Sequence, residues 1–278
     1  MDNLGDRMKM YENAEAGRRL MPLLPALARI DGRSFSNFTN GMDKPYDTRM
    51  LSCMVDTATE LAKHTNACMA YTQSDEITLA WHSTNIKSQI WFDGRVAKMT
   101  SQLAAQASVV FYRFILERMP EYAERIPTFD ARVWNVPNRT EGSNSFLWRE
   151  LDATRNSLNS LASFYYSHSE LMNKNSSQRH DMLMHKGINW NDYPPEYKRG
   201  VYIQRKLTEY DFDPSSLTKS AREVFNSKYL KPGGRSSIKL EKYIKLDLPP
   251  IKSIVNREDV IFSGSSPILI SEIENASL

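Results

Sequence analysis

Apolar positions along the chain fall into segments of two kinds. Leu23 to Ile30 is a near-continuous apolar run that stops at Asp31-Gly32, which predicts a buried strand followed by a turn. Pro25 inside the run places the start of the strand after it. After Lys44-Pro45, apolar residues recur at helical spacing at Met50, Leu51, Met54, Val55, Ala58, Leu61 and Ala62, which predicts a helix over 47–64. Ala67 to Tyr71 and Ile77 to Trp81 read as two short strands, joined through the polar tip Thr72 to Glu76. Val96 to Met119 reads as a long amphipathic helix that Pro120 ends, and Phe129 to Val136 as a further strand.

The order is strand, helix, strand, strand, helix, strand. That is the split βαβ arrangement of a ferredoxin-like α+β sheet. Residues 1–137 are therefore taken as one domain, with a polar, peripheral first 20 residues. A long helix over 143–173 and a Trp-, Asn- and Pro-rich loop near 187–200 form a helical region over 138–206. Residues 207–278 show no sustained period, carry turn signals such as Pro232-Gly233-Gly234, and read as an irregular extension.

Composition narrows the class. Of 278 residues, 41% are hydrophobic and 25% charged, as in folded globular proteins. No apolar run approaches the roughly 18 residues of a membrane span. Two cysteines, Cys53 and Cys68, form neither a disulfide framework nor a thiolate zinc site, and with a polar N-terminus they suit the cytoplasm. The formal charge is only +3, but Glu196 to Lys245 holds 12 Lys and Arg against 6 Asp and Glu. A basic C-terminal stretch of this kind is suited to phosphate partners.

The topology makes a geometric prediction. In such a sheet the first and third strands are antiparallel neighbours, so Asp31 at the end of one lies beside Asp75 and Glu76 at the start of the other. Like charges that close call for a cation, and oxygen-only donors with no His or Cys favour Mg²⁺ or Mn²⁺ over zinc. Gly32 allows a close backbone approach, which brings its carbonyl into the candidate donor set. Arg95 and Lys98 lie one turn apart at a helix start, where anions are favoured. Lys44 is a further candidate for phosphate. The ordinary readings are a solvated turn at Asp31-Gly32, a solvated hairpin tip at 74–76 and a solvated Arg–Lys pair.

These residues also resemble a known family. Ala28-Arg29-Ile30-Asp31-Gly32-Arg33-Ser34-Phe35, Lys44-Pro45-Tyr46-Asp47 and Tyr71-Thr72-Gln73-Ser74-Asp75-Glu76 are similar to motifs of the tRNA-histidine guanylyltransferases. Further matches follow in order at Arg95 with Lys98, Phe129 to Arg132, Trp148-Arg149 with Asp152, Arg155-Asn156-Ser157, and Lys186 to Asn191. The resemblance spans about residues 20–205. It implies a polymerase-type palm in which Asp31, Gly32 and Asp75 hold two Mg²⁺ ions, with Glu76 completing a catalytic acidic motif. It implies nucleotide binding by Asp31, Gly32, Arg33, Ser34, Phe35, Ser36, Lys44, Asp47, Ser74, Asp75, Arg95, Lys98 and Ser101. It implies RNA contacts at Arg155, Asn156, Trp190, Lys198 and Arg199, tRNA as partner, ATP and GTP as substrates, and a tetramer. The activity implied is nucleotide addition to an RNA 5′ end. The sequence departs from members dedicated to histidine tRNA at Thr154, where they carry His, and at Ser36, where many carry His. That pattern resembles the branch that adds nucleotides opposite a template. Residues alone also allow a palm-fold nucleotide cyclase or a non-catalytic RNA-binding protein.

Overall fold

The structure is a computed structural model that describes residues 3–88, 90–211, 215, 217–229 and 237–272. A polar helix, α1 (Leu4–Ala16), stands at the N-terminus with its side chains exposed. Strand β1 (Ala26–Gly32) follows, starting directly after Pro25, and a short helix α2 (Phe35–Phe38) comes next. Helix α3 (Thr48–Thr65) is capped by the Asp47 carboxylate, which accepts from the Arg49 and Met50 amides. Strands β2 (Met69–Gln73) and β3 (Glu76–Trp81) are joined through Ser74 and Asp75 alone. Helix α4 (Val96–Arg118) ends ahead of Pro120, and β4 (Phe129–Asn135) closes this part of the chain.

Six strands form one antiparallel sheet in the order β4-β1-β3-β2-β5-β6, with β5 at Val201–Asp211 and β6 at Ser237–Leu246. Alternation along β1 splits its residues between two cores. Ala26, Ala28 and Ile30 pack with Ile77 and Leu79 against α3 and α4, through Met54, Leu61, Leu103 and Phe111. Leu27 joins Ala80, Met69, Tyr71 and Tyr202 on the opposite face. That face is covered by α5 (Arg139–Tyr165) through Phe146, and by Ile251, Ile254, Val260 and Ile261 from the C-terminal segment. Beyond α5 lie the short helices α6 (His168–Leu171), α7 (Ser176–His185) and α8 (Pro195–Arg199).

The C-terminal stretch differs from its reading as irregular. β5 runs on to Asp211 and pairs with β6 in register from Tyr202↔Leu246 to Asp211↔Ser237. Helices α9 (Lys219–Tyr229) and α10 (Arg257–Ser263) complete the described chain, and α10 is buried against the sheet at Val260 and Ile261. The sequence signal fails here because β5 is held by ladder bonds to β2, and β6 by ladder bonds to β5, rather than by a period of their own. The expected turn at 232–234 lies outside the described residues.

Candidate active site

The two carboxylate segments meet through the ladder. Asp31 pairs with Glu76 in the β1–β3 register, and the Gly32 amide donates to the Asp75 carbonyl at 3.0 Å. The sheet thus joins positions that are 44 apart in sequence. Ser74 adopts a left-handed backbone (φ 49°) in the two-residue link that turns the chain at Asp75. Gly32 is required for packing, since a Cβ there would lie 2.2 Å from the Phe35 ring. Phe35 in turn is buried against Phe38, Phe111 and Phe129, so the turn after Asp31 is clamped onto the first core.

Burial pushes the Asp75 carboxyl above its usual range, and the charge on Asp31 adds to that push. Glu76 stands differently. It is 5% exposed, accepts from Arg149 Nε at 2.7 Å, and lies 4.0 Å from Arg29 Nε. Burial raises its pKa against the opposing pull of Arg149. Arg149 also donates to Asp152 at 2.9 Å. Glu76 is therefore engaged in a buried pair that ties β3 to α5. One oxygen of this member of the expected acidic motif is thereby held by a guanidinium.

Asp75 and Ser74 open onto a cavity of about 420 Å³. Its floor and near wall are Phe35, Ser36, Lys44, Asp47 and Met50, and its far wall is Asn156, Ser157, Ser160 and Tyr197. Tyr46 stacks on Tyr197 (centroids 4.4 Å apart, planes at 22°) and so joins the two walls. Asp47 contributes less than expected. Its carboxylate caps α3 and accepts from Arg49 at 2.8 Å, and these bonds together outweigh burial and hold its pKa down. It shapes the cavity wall and leaves little capacity for a ligand.

Other expected ligands lie elsewhere. Arg33 and Ser34 line a separate shallow depression with Asn37, Arg125 and Thr128. Arg95, Lys98 and Ser101 sit on the first turns of α4 and are absent from the cavity lining. Lys98 Nζ lies over the Phe92 ring at 4.8 Å, and Arg95 Nε donates to the Phe92 carbonyl at 3.3 Å.

The expected RNA contacts also divide. Asn156 lines the cavity, and exposed Arg155 pairs with Asp152. Lys198 is 8% exposed, donates to the Asn191 carbonyl at 2.6 Å and lies over Trp190. Trp190 directs its indole N–H to Ser157 at 3.2 Å. Each thus makes a polar contact inside the fold. Arg199 is half-buried, and its carbonyl accepts from the Tyr71 hydroxyl at 2.7 Å. Sequence reasoning missed the role of Arg29 and Arg149 in holding Glu76. The signal was present in the alternation that puts Arg29 on the face of Asp31.

With this geometry, comparison with known proteins is decisive. A family model described as tRNAHis guanylyltransferase matches residues 5–137. A protein of Acanthamoeba polyphaga mimivirus is 30% identical over 267 residues, covering 88% of this chain and 91% of that one. The tRNA(His) guanylyltransferase of Debaryomyces hansenii is 30% identical over 224 residues, covering 74% of this chain and 82% of the relative. This chain belongs to the tRNA(His) guanylyltransferase family. Solved structures of the family agree. A bacterial tRNA(His) guanylyltransferase-like protein in complex with ATP matches with a TM-score of 0.69 and 35% identity, over 73% of this chain and 87% of that chain. One in complex with GTP matches with a TM-score of 0.68 and 28% identity, over 90% and 94%. The match to the GTP complex covers more of the chain than residues 5–137 of the family model.

Proposed function

We propose that this chain is a metal-dependent 3′-to-5′ nucleotidyltransferase that adds GMP, or nucleotides chosen by a template, to the 5′ end of tRNA. The observation that carries the reading is the pairing of Asp31 with the Asp75 turn at the mouth of a cavity of nucleotide size. The ATP and GTP complexes of the bacterial relatives support nucleoside triphosphates as its substrates. The strand and helix order around Asp31 supports a polymerase-type palm over residues 1–137, with 138–206 packed on it as a helical region.

The donor set fits a hard divalent cation. Asp31 and Asp75 carboxylates and the Gly32 carbonyl supply oxygen only. Burial of Asp75 beside Asp31 leaves a negative pair that a cation neutralises. Bound Mg²⁺ would supply charge neutralisation to the phosphates and orientation to their oxygens.

The protein's own part is positioning. The cavity holds a triphosphate with its phosphates toward Asp75 and Ser74 and its base toward the Tyr46–Tyr197 wall. In the activation step an oxygen of the RNA 5′-monophosphate attacks the α-phosphorus of ATP or GTP, and pyrophosphate leaves as the α–β phosphoanhydride bond breaks. The 3′-hydroxyl of the incoming GTP then attacks that activated phosphorus and expels the nucleoside monophosphate. Removal of the new terminal pyrophosphate completes the cycle. Members of the family act as tetramers by the same resemblance, and a homotetramer is proposed here.

The test uses purified protein, Mg²⁺, ATP and labelled GTP with two 5′-monophosphorylated tRNAs. One is a histidine tRNA lacking its extra 5′ guanosine, and the other is a non-histidine tRNA lacking its first nucleotide. Addition to both, governed by the opposing base, is expected because Thr154 stands where histidine-dedicated members carry His. Addition to neither, or a cyclic nucleotide made from GTP or ATP alone, would overturn the reading.

A further inference from the structure

The face of the sheet that carries Asp31 is covered only in part. Leu27, Ala80 and Tyr71 are buried there beneath α5, while the β4 side stays open at Asp130 and Arg132. In the β1–β4 register Arg29 stands directly opposite Arg132, and Asp31 directly opposite Asp130. Two like-charged pairs side by side across a ladder oppose folding unless something meets them. The Asp pair belongs to the acidic site already described. The Arg pair touches that site only through Arg29 and Glu76. Arg29 has only a 4.0 Å approach to Glu76, and its buried Nε lacks a hydrogen-bond acceptor. Arg132 is exposed and pairs only with Asp130 at 3.1 Å, a surface contact of the kind worth little in water.

Trp148 borders this strip. It is 56% exposed, the largest aromatic side chain left so open in the described molecule. Its indole lies 5.7 Å from the Arg29 guanidinium and 4.5 Å from that of Arg149. Both arginines reach Glu76, the ladder partner of Asp31, so the indole is held two side chains away from the catalytic carboxylate. Yet Trp148 has no part in the lining of the nucleotide cavity. An exposed aromatic backed by guanidiniums beside two weakly paired arginines is the equipment of a single-stranded nucleic-acid platform.

Resting on the nucleotidyltransferase reading, we infer that the open strip between β4 and α5 receives the 5′-terminal nucleotide of the RNA acceptor. Its base stacks on Trp148 and its backbone phosphate meets the Arg29–Arg132 pair. The cavity and the strip then present the two reactants from opposite sides of Asp31 and Asp75.

The test compares wild type, Trp148→Phe and Trp148→Ala on a 5′-monophosphorylated RNA hairpin whose first nucleotide is either intact or abasic. Loss of a stacked base costs about 10- to 100-fold in affinity. Trp148→Ala is expected to raise the KM for the intact RNA by about that factor and to leave GTP affinity unchanged. Trp148→Phe is expected to stay within a few-fold of wild type. The abasic RNA is expected to lose the same factor on wild type and nothing further on Trp148→Ala. An unchanged KM in Trp148→Ala, or losses that multiply between variant and abasic RNA, would overturn the inference. Should wild type transfer nothing to any RNA, the failure is that of the nucleotidyltransferase reading. The strip is then judged by RNA binding measured as fluorescence anisotropy, where Trp148→Ala must weaken intact RNA alone or the inference falls.

Discussion

Asp31 and Asp75 have no basic partner among the described residues, unlike Glu76, Asp47 and Asp152 around them. Glu76 is taken by Arg149, Asp47 by Arg49 and the α3 amides, and Asp152 by Arg149 and Arg155. A carboxylate without a partner beside another is poorly suited to stabilising a fold, and its removal relieves repulsion. Asp31→Ala and Asp75→Ala are therefore expected to keep the fold, with thermal midpoints within a few degrees of wild type. Transfer of labelled GTP should fall by roughly 10³-fold or more, the scale of losing a group that neutralises charge in phosphoryl transfer. Unfolding of both variants, or full transfer by either, would remove them from the site. The pairing of these two residues was legible in the sequence, since hydrophobic alternation and a short hairpin set which strand ends meet. The engagement of Glu76 was not, because Arg149 comes from a helix whose rotation about its axis depends on packing at Phe146.

At the scale of elements, the sheet and α5 are joined by two buried polar links. One is Glu76–Arg149. Replacing only the arginine leaves a carboxylate in the interior, a change that costs about 3–5 kcal/mol in comparable pairs. Arg149→Leu is thus expected to lower the thermal midpoint by roughly 10 °C, and Glu76→Leu with Arg149→Leu to recover much of the loss. No recovery in the double variant would mean that the pair does not act as a unit. The other link is Glu150, which accepts from the Tyr202 hydroxyl at 3.0 Å and the Ile251 amide at 2.8 Å. Burial nevertheless pushes its pKa above the ordinary 4.5. The folded state then binds more protons than the unfolded state between the two values, so this group adds stability as pH falls and costs stability when ionised. Glu150→Gln should stabilise most at neutral pH, and its advantage over wild type should shrink as pH falls toward 4.5. A constant difference across that range would refute the assignment. The helix positions on α3 and α4 were readable from periodicity alone. β5 and β6 were not, because β5 pairs with β2, more than 120 positions earlier in the chain, and β6 pairs with β5.

For the whole molecule, the C-terminal segment is structural. Ile251, Ile254, Val260 and Ile261 are each 1% exposed or less and fill the second core. At about 1.5–3 kcal/mol for each such side chain, their removal approaches the entire stability of a typical domain. A chain ending at Lys206 is expected to be insoluble or to lack a cooperative melt, whereas solubility with a native melt would show that residues 1–206 fold alone. Arg205, Lys206, Lys239, Lys242 and Lys245 of the basic stretch are accordingly carried on strands of the sheet.

The two-residue link at Ser74 and Asp75 has a consequence for how such a chain can change in length. One residue added within β1, or between Gln73 and Glu76, would slide a strand by a single position and exchange its two faces. Ile30 would turn toward the open strip and Asp31 toward Phe111. The exposed loop at 84–88 carries no such constraint. Insertions and deletions that preserve activity should therefore collect in that loop and be missing between Ala26 and Gly32 and between Met69 and Trp81, where only exchange of one side chain for another leaves both carboxylates on station.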